Sequence, residues 1–286
     1  MQHVNFIFML PVLILMMLVS SCTGSPTLSA SEVFDKFDPN NFDNSTNIDN
    51  QWLPLKPGTQ LVFEGFTIEA GEQVPHRVVI TVTDLTKAIG GVPSVVTWDL
   101  DLSGNQLVEA ELAFFAQDND GNVWRMGEYP EEYQDGKFVD APTWIHGLDN
   151  ALAGIAMQAD PRPDTPSYAQ GWGPGVDWTD RGQVDQVSQS VCVPVACYED
   201  VLVIKESSQA EPDAFQLKYY APNVGNISVD WTGADKTQET LELVEYNQLS
   251  PEEMNEARAE ALKLEAHGYE VSKDVYAQTP PLELPN

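Results

Sequence analysis

Apolar side chains, with one histidine among them, recur at every second position between residues 76 and 114, and this period constrains the fold more than any other feature. Side chains with this spacing share one face of a β-strand. The shared faces are His76, Val78, Ile80 and Val82 in one strand, Val96, Trp98 and Leu100 in the next, and Val108, Ala110, Leu112 and Phe114 in a third. Turn-forming residues separate these strands at 90–91, 103–105 and 118–121. Short turns of this composition are typical of hairpins, so we expect consecutive strands to pair antiparallel.

A second block of β-pattern follows a long irregular stretch. The expected strands lie near residues 187–193, 201–206, 215–220, 227–231 and 240–246. No helical period separates them, which disfavours a parallel sheet built from alternating strands and helices. Residues 52–248 are therefore predicted to form one mainly β, antiparallel domain that contains a long loop at residues 141–183.

One helix is predicted after this domain, over residues 249–268. Ser250 is a capping residue, Pro251 occupies the first helical position, and Glu253 completes a capping box. Apolar residues then recur on one side of the helix, at Met254, Ala257, Ala261 and Leu264, and Gly268 is the expected stop. We expect the helix to cover part of the sheet or its open edge, and residues 269–286 to form a frayed tail.

The N-terminus carries an apolar run from Phe6 to Val19, followed by Ser20, Ser21 and Cys22. The run is shorter than the about 20 residues of a membrane-spanning helix and fits the apolar region of an export signal over residues 1–21. Val19–Cys22 resembles a bacterial lipobox, although the preceding segment carries only His3 in place of the usual Lys or Arg. The resemblance implies lipidation of Cys22 and a location in the cell envelope, on the extracytoplasmic side of a membrane.

Two alternatives to lipidation stay open, namely an ordinary cleaved signal and a short uncleaved anchor. Residues 22–51 are rich in Ser, Asn, Asp and Pro, so we expect them to form a flexible tether between the membrane and the domain.

The chain has 14 Lys and Arg residues against 44 Asp and Glu residues, a formal net charge of −30. This charge repels phosphate backbones, so nucleic acid is excluded as an expected partner. The acidity either attracts cationic ligands or serves as a solvated surface suited to a salty habitat; the sequence favours the second interpretation because the acids are dispersed.

Cys192 and Cys197 form a close pair in a chain that is expected to be exported. Such a pair outside the cytoplasm indicates a structural disulfide. The spacing does not match a redox Cys-x-x-Cys motif, and no His follows at the spacing of a zinc site. We therefore predict a disulfide near a hairpin turn, with no metal site and no cofactor.

Two stretches of the chain carry a family resemblance: residues 52–58 leading to 62–65, and residues 200–206 leading to 218–225. They resemble a family of bacterial exported proteins that has no assigned activity and a β-rich domain. The resemblance covers most of residues 50–246 and implies a curved antiparallel sheet or an open half-barrel. More loosely, such sheets are similar to those of periplasmic lipoprotein carriers, which hold an apolar ligand in the concave face.

The loop at 141–183 is the candidate ligand site. Long ordered loops are often functional, and this one is rich in aromatic residues. The candidate contact residues are Trp144, His146, Tyr168, Trp172 and Trp178. These rings, beside the loop's carboxylates, could stack on a sugar or a cationic group; alternatively, they hold the loop over the end of the sheet.

No catalytic motif is present, so no catalytic residue is assigned. His76 and His267 are interpreted as structural, and the acidic turn at Asp118–Asn122 departs from the EF-hand pattern. The favoured hypothesis is a lipid-anchored binding or envelope-associated protein for a small molecule, a sugar or a cation. A hydrolase that uses His146 with Asp149, Asp160 or Asp164, and a structural partner in a membrane complex, are the alternatives; the sequence does not identify a protein partner.

Overall fold

The computed structural model describes residues 34–284. Fifteen strands and one α-helix lie in this range. The strands are β1 (Thr59–Glu69), β2 (Glu72–Ile89), β3 (Val92–Ser103), β4 (Gln106–Gln117), β5 (Val123–Gln134), β6 (Lys137–Asp140), β7 (Trp144–Ile145), β8 (Leu152–Met157), β9 (Tyr168–Ala169), β10 (Gly171–Trp172), β11 (Arg181–Cys192), β12 (Cys197–Ser207), β13 (Ala214–Ala221), β14 (Gly225–Gly233) and β15 (Thr240–Gln248). The helix is α1 (Pro251–Val271), and single 3-10 turns lie at Pro39–Asn41, Pro174–Val176 and Tyr276–Gln278.

All the strands belong to one antiparallel sheet, with the order β10-β8-β5-β4-β3-β2-β1-β15-β14-β13-β12-β11-β9 and with β6 and β7 also paired to β5. The end strands of this path, β9 and β10, are separated along the chain only by Gln170. The segment at 168–172 thus links the two edges, and the sheet is nearly closed and barrel-like. The prediction of a mainly β, antiparallel fold with one C-terminal helix is confirmed.

The predicted hairpins join β2 to β3, β3 to β4 and β4 to β5. The β3–β4 turn shows why its sequence suits it. Gly104 and Asn105 both have positive φ, 54° and 66°, as a two-residue hairpin turn requires. Gly and Asn tolerate that conformation better than other residues.

Residues at paired positions on neighbouring strands point to the same side of the sheet, so the register divides the strands into an inner and an outer face. On the outer face of β3–β5, Val96, Leu112, Phe114 and Met126 belong to an apolar cluster that α1 covers with Ala261 and Leu264. On the inner face, Val82, Phe115 and Ile204 belong to a second cluster. A third cluster includes Leu61, Phe63 and Leu243 on β1 and β15.

The capping box of α1 is present as predicted: the Ser250 side chain accepts from the Glu253 backbone N–H, and the Glu253 side chain accepts from the Ser250 backbone N–H. Gly268, however, does not end the helix, which continues to Val271. A Cβ at Gly268 would lie 2.8 Å from the Tyr129 ring. Glycine is therefore needed there for close packing of the helix on the sheet.

The predicted frayed tail is corrected for residues 272–284. Tyr276 is fully buried, with its ring centroid 4.4 Å from that of Tyr129, and Leu282 is buried as well. Glu283 exchanges backbone hydrogen bonds with Thr86 of β2. The tail is held because it supplies apolar groups to the core and a pairing partner to a strand.

The predicted flexible tether is corrected in the same way for residues 37–51. Phe42 and Ile48 are buried in two of the apolar clusters, and the Ser45 hydroxyl donates to the Pro93 carbonyl at 2.6 Å. The Asn50 side chain also bonds to the backbone of residues 121 and 158. The folded unit therefore begins well before residue 52, and residues 22–33 of the predicted tether lie outside the described residues.

Candidate functional site

A cavity of about 250 Å³ lies inside the sheet. Strands from both blocks supply its walls. Its lining is apolar on one side, with Leu53, Leu55, Leu61, Phe63, Val78, Ile80, Val229 and Leu241, and polar or charged on the other, with Thr97, Asp99, Arg125, Gln170, Glu206, Gln216, Lys218, Asn226 and Glu239. We call this space the interior cavity.

The strand register sets the boundary between the apolar and the charged walls. Leu61 pairs with Ile80, Ile80 with Asp99, and Asp99 with Glu111, so these four residues form one row across β1–β4. The row beside it repeats the pattern and ends in the opposed pair Asp101 and Glu109. Two apolar strands are thus followed by two strands that place carboxylates directly opposite each other, an arrangement that is destabilising by itself.

The opposed carboxylates are hard to ionise. Burial raises the pKa of Asp99 to about 7, although the Thr97 hydroxyl and Arg125 act in the other direction. Burial and the charge of Asp99 raise the pKa of Glu111 to about 7, and burial with the neighbouring acids raises that of Glu109 to about 8. Near neutral pH, part of this set holds protons. Of these three acids Asp99 lines the cavity, and a carboxyl group with such a shift at a cavity wall is typical of functional sites.

Lys218 and Glu206 form a matched pair across β12 and β13. The Lys218 Nζ lies 2.6 Å from Glu206 Oε2, and Gln170 Nε2 donates to Glu206 Oε1 at 2.7 Å. Burial opposes both charges, but their attraction dominates, so the pKa of Glu206 falls and that of Lys218 rises. Gln170 therefore ties the segment that closes the sheet to an ion pair inside it.

Arg125 is matched by Glu128, with which it forms an ion pair. The second oxygen of Glu128 accepts from Trp144 Nε1 at 3.0 Å. The Arg125 guanidinium also lies 5.2 Å from the Phe115 ring centroid and 5.5 Å from that of Trp178, within cation–π distance. These contacts fix the cation at the cavity wall, while its Nε is buried without a hydrogen-bond partner among the described residues.

His76 lies between two acids. Its Nε2 is 2.6 Å from Asp101 Oδ1, and its Nδ1 is 3.1 Å from Glu239 Oε1. Burial lowers the pKa of His76, but the bond to Asp101 and the proximity of Glu239 outweigh it and raise the pKa to about 10. His76 is therefore a cation at neutral pH, and its charge is used within this triad. Glu239 also accepts from Gln216 at 2.8 Å, which extends the polar chain to β13.

A second, polar pocket of about 220 Å³ shares Glu206 and Gln216 with the interior cavity. Its other acidic lining residues are Asp180, Glu211 and Asp235, and no Lys or Arg lines it. Burial and Glu206 raise the pKa of Asp180 to about 6. This pocket lies at the protein surface, since its lining residue Glu211 is exposed. We call it the acidic mouth.

The aromatic residues predicted as ligand contacts lie around the closure of the sheet, and none of the five lines the interior cavity. Trp144 is buried and stacks on Trp178, with ring centroids 4.7 Å apart. Trp172 is half-buried and meets Phe34 edge-on. These contacts match the alternative in which the rings hold the loop in place, and ligand contact stays a prediction.

The remaining two candidates also make internal contacts. Tyr168 is buried, and its ring fills the space above Gly182, where a Cβ would lie 2.7 Å from Tyr168 Cζ. His146 Nδ1 accepts from the Ala153 backbone N–H at 3.0 Å, and its ring packs on Phe37. Burial lowers the pKa of His146.

The acids of the hydrolase hypothesis are not brought to His146. Asp160 pairs with Arg162 on the surface, and Asp149 and Asp164 are exposed. In the acidic turn, Asp118 accepts from the Asn122 backbone and from Trp124 Nε1, as a structural turn does. Among residues 34–284, no group of three or more His, Cys, Asp or Glu side chains is arranged to hold a metal ion.

Cys192 and Cys197 pair across the β11–β12 hairpin at disulfide-bonding distance, with Sγ atoms 1.98 Å apart. Cys22 lies outside the described residues. Within the described range, no helix is both long enough and apolar enough to cross a membrane.

The acids at the wall of the interior cavity and beside it were not predicted from the sequence; of the four on β3 and β4, Asp99 lines the cavity. Asp99, Asp101, Glu109 and Glu111 occupy the alternate positions of strands whose other face is apolar. In an open sheet such positions face water. One signal in the sequence could have revealed these acids. When β3 and β4 pair through their hairpin, the four acids form two directly opposed pairs.

Comparison with known proteins gives few matches. No protein-family profile matches the sequence, and no curated protein matches it. Two solved structures do match. One is from Bacteroides fragilis NCTC 9343 and is provisionally described as an exported protein with a YmcC-like fold. Its sequence is 13% identical to this chain and the TM-score is 0.41; the alignment covers 69% of this chain and 99% of the Bacteroides chain. The other, provisionally described as a lipoprotein of Parabacteroides distasonis ATCC 8503, is 12% identical, with a TM-score of 0.37 over 70% of this chain and 100% of that one. Neither description names a ligand or an activity.

Proposed function

We propose that this chain is an extracytoplasmic binding protein, anchored through lipid on Cys22, that holds a small molecule in the interior cavity. The observation that carries the proposal is the cavity itself, which has an apolar wall on β1–β2 and charged groups on the opposite strands. A packed protein core leaves few voids larger than a water molecule. A void of about 250 Å³ with fixed ionic groups at its wall is therefore more than a packing defect.

The size of the cavity limits the ligand. Sites for drug-sized ligands occupy about 300–1,000 Å³. At about 250 Å³, the interior cavity suits a smaller molecule, with one apolar and one polar end. An apolar wall beside a few placed polar groups is the usual composition of such sites.

The loop at 141–183 forms the rim of this site in our proposal. It contributes Gln170 to the cavity wall. It also carries two tryptophans that contact charged residues: Trp144 donates a hydrogen bond to Glu128, and the Trp178 ring lies against the Arg125 guanidinium. In this proposal the two tryptophans position Arg125 and do not touch the ligand themselves. The predicted contact of these rings with the ligand becomes indirect.

The binding role is tested by filling the cavity. Val78 lines it, whereas the adjacent Val79 points to the opposite face of β2. The full chain, exported and processed by its own host, would be purified from the envelope in a mild detergent, and the retained ligand measured by native mass spectrometry. We expect Val78→Phe to lose the retained mass, and the matched control Val79→Phe to keep it. No retained mass in the unsubstituted chain, or equal retention by both variants, would contradict the proposal.

The anchor is tested separately, on the full chain. Acyl chains contribute about 0.8 kcal/mol per buried methylene, so a lipoprotein with several chains binds a membrane firmly. We expect Cys22→Ser to release the chain from the membrane fraction or to change its mature mass. A membrane-bound mature protein of unchanged mass would place the anchor elsewhere.

A further inference from the structure

The cations that line the interior cavity have their own partners. Lys218 is matched by Glu206 at 2.6 Å, and Arg125 is matched by Glu128. His76, which lies further along the inner face of β2, contacts both Asp101 and Glu239. Each cation of the inner face therefore has at least one carboxylate of the protein beside it.

The carboxylates of Asp99 and Glu111 are left over. Asp99 Oδ2 accepts from the Thr97 hydroxyl at 3.2 Å, but Asp99 Oδ1 and Glu111 Oε1 are both fully buried and accept from no group of the described residues. Buried acceptors without partners cost free energy, and a cation held against the Asp99 carboxylate at the cavity wall would offset part of that cost. Asp99 sits beside Ile80, where the apolar wall begins, and Glu111 lies on the far side of Asp99.

We propose that the ligand of the interior cavity is a small amphipathic cation, with an amine that binds Asp99, to which the paired Glu111 adds negative charge, and a short apolar body that packs on β1 and β2. This inference rests on the proposed function, because it specifies the ligand of the same cavity. The acidic mouth supports it, since this neighbouring pocket shares Glu206 and Gln216 with the cavity and is lined by Asp180, Glu211 and Asp235 with no Lys or Arg. A field of one sign along a cleft concentrates ligands of the opposite charge.

One feature of the cavity favours an anion instead, namely the buried Arg125 Nε, which has no partner. The balance of charges decides against it. Three acids and two bases line the cavity, and Glu111 and Glu128 add two more acids on the same face. A ligand carboxylate would have to lie among these groups, whereas an amine would reduce their mutual repulsion.

Binding of the amine should depend on pH. At neutral pH, Asp99 and Glu111 hold part of their protons, and an amine would displace them. The groups facing this pair from the packed strands are Arg125 on β5, Lys218 on β13, and Glu109 and Asp101 on the neighbouring row. Alkylamines stay charged well above pH 8, so affinity should rise as the carboxylates ionise between pH 6 and pH 8.

Three probes of equal length test the charge preference: n-hexylamine, n-hexanol and hexanoate. The chain from Thr23 onward would be titrated with each by calorimetry. We expect hexylamine to bind at least about tenfold more tightly than hexanol, and hexanoate to bind most weakly, with the hexylamine affinity increasing from pH 6 to pH 8. Asp99→Asn with Glu111→Gln should abolish the preference for the amine and leave hexanol binding unchanged.

A control separates local recognition from the net charge of −30. Glu242→Gln with Glu245→Gln removes the same charge from exposed positions of β15 and should keep the preference for the amine. Equal binding of the three probes, tighter binding of hexanoate, or a control that behaves like the Asp99 and Glu111 variant would overturn the inference while leaving a ligand cavity in place. If no probe binds and Val78→Phe and Val79→Phe retain native ligand equally, the proposed function fails as well.

Discussion

Lys87 of β2 and Glu265 of α1 form an ion pair between the sheet and the helix, with Lys87 Nζ 3.2 Å from Glu265 Oε1. The Lys87 side chain is 0% exposed and that of Glu265 is 8% exposed. Lys87 also donates to the Pro280 carbonyl at 2.6 Å and lies 4.3 Å from the Tyr276 ring centroid. One buried cation thus connects a strand, the helix and the C-terminal tail.

Removal of this cation should destabilise the fold strongly. Breaking one side of a buried ion pair typically costs about 3–5 kcal/mol, because the other charge stays buried. We expect Lys87→Met to lower the free energy of unfolding by about 3 kcal/mol or more in a denaturant titration. The matched control is Lys263→Met, which removes an exposed cation from the pair with Glu260 and should cost less than about 1 kcal/mol. Equal losses in the two variants would argue against a buried pair.

The C-terminal tail should contribute to stability through Tyr276. Its fully buried ring contacts those of Tyr129 and Tyr269, at centroid distances of 4.4 and 5.4 Å. Removing a buried aromatic ring costs about 3–5 kcal/mol, so Tyr276→Ala should lower the unfolding free energy by that order. Leu284→Ala, at a position that is 60% exposed in the same tail, should change it by less than about 0.5 kcal/mol. Two neutral substitutions would indicate a frayed tail.

The two tryptophans Trp144 and Trp172 should respond differently to the same substitution. Trp144→Phe keeps a ring but removes the Nε1–H that donates to Glu128, a buried carboxylate. An unsatisfied buried acceptor costs about 1–3 kcal/mol, and thermal or denaturant unfolding should detect this loss. Trp172 is half-buried and has no such bond among the described contacts, so Trp172→Phe should be nearly neutral. If Trp144→Phe keeps full stability, the bond from Trp144 to Glu128 does not stabilise the fold.

The strands and hairpins could be predicted because their signals are local. Alternation through Val78 and Ile80, and through Leu112 and Phe114, depends only on which residues share a face, and the turn at Gly104 and Asn105 depends on two residues that tolerate positive φ. The capping box of Ser250 and Glu253 is local in the same sense. The presence and order of these elements could therefore be predicted from the sequence.

Closure of the sheet could not be predicted, and the candidate site depends on it. The closing strands β9 and β10 have two residues each, too few to show a period. Without closure, Asp99 and Glu111 are predicted to face water; with it, Asp99 faces the interior cavity and Glu111 lies beside Asp99. The prediction of a frayed tail was wrong for a related reason. Tyr276 belongs to an irregular segment, and it is buried only because of its distant partners Phe114 and Tyr129.

The opposed acids should make stability depend on pH in a direction that is unusual for carboxylates. The folded pKa of Glu111, about 7, lies above its ordinary value of 4.5, so the folded state binds this proton more tightly than the unfolded state does. Its contribution to stability is therefore present at pH 4.5 and is lost as the pH rises toward and through 7. His76, whose pKa is raised to about 10, loses its own contribution only from about pH 6.5 upward.

Glu111→Gln isolates this contribution. Each unit of pKa difference corresponds to about 1.4 kcal/mol, so we expect the variant to gain about 1–3 kcal/mol of unfolding free energy over the unsubstituted chain between pH 4.5 and pH 8. Urea unfolding at pH 4.5, 6 and 8 measures this difference, and the contribution of His76 cancels because both chains carry it. Glu245→Gln, on an exposed position, should show no such trend. A difference between Glu111→Gln and the unsubstituted chain that stays constant with pH, or shrinks as the pH rises, would mean that Glu111 ionises normally and that the inner face is open to water.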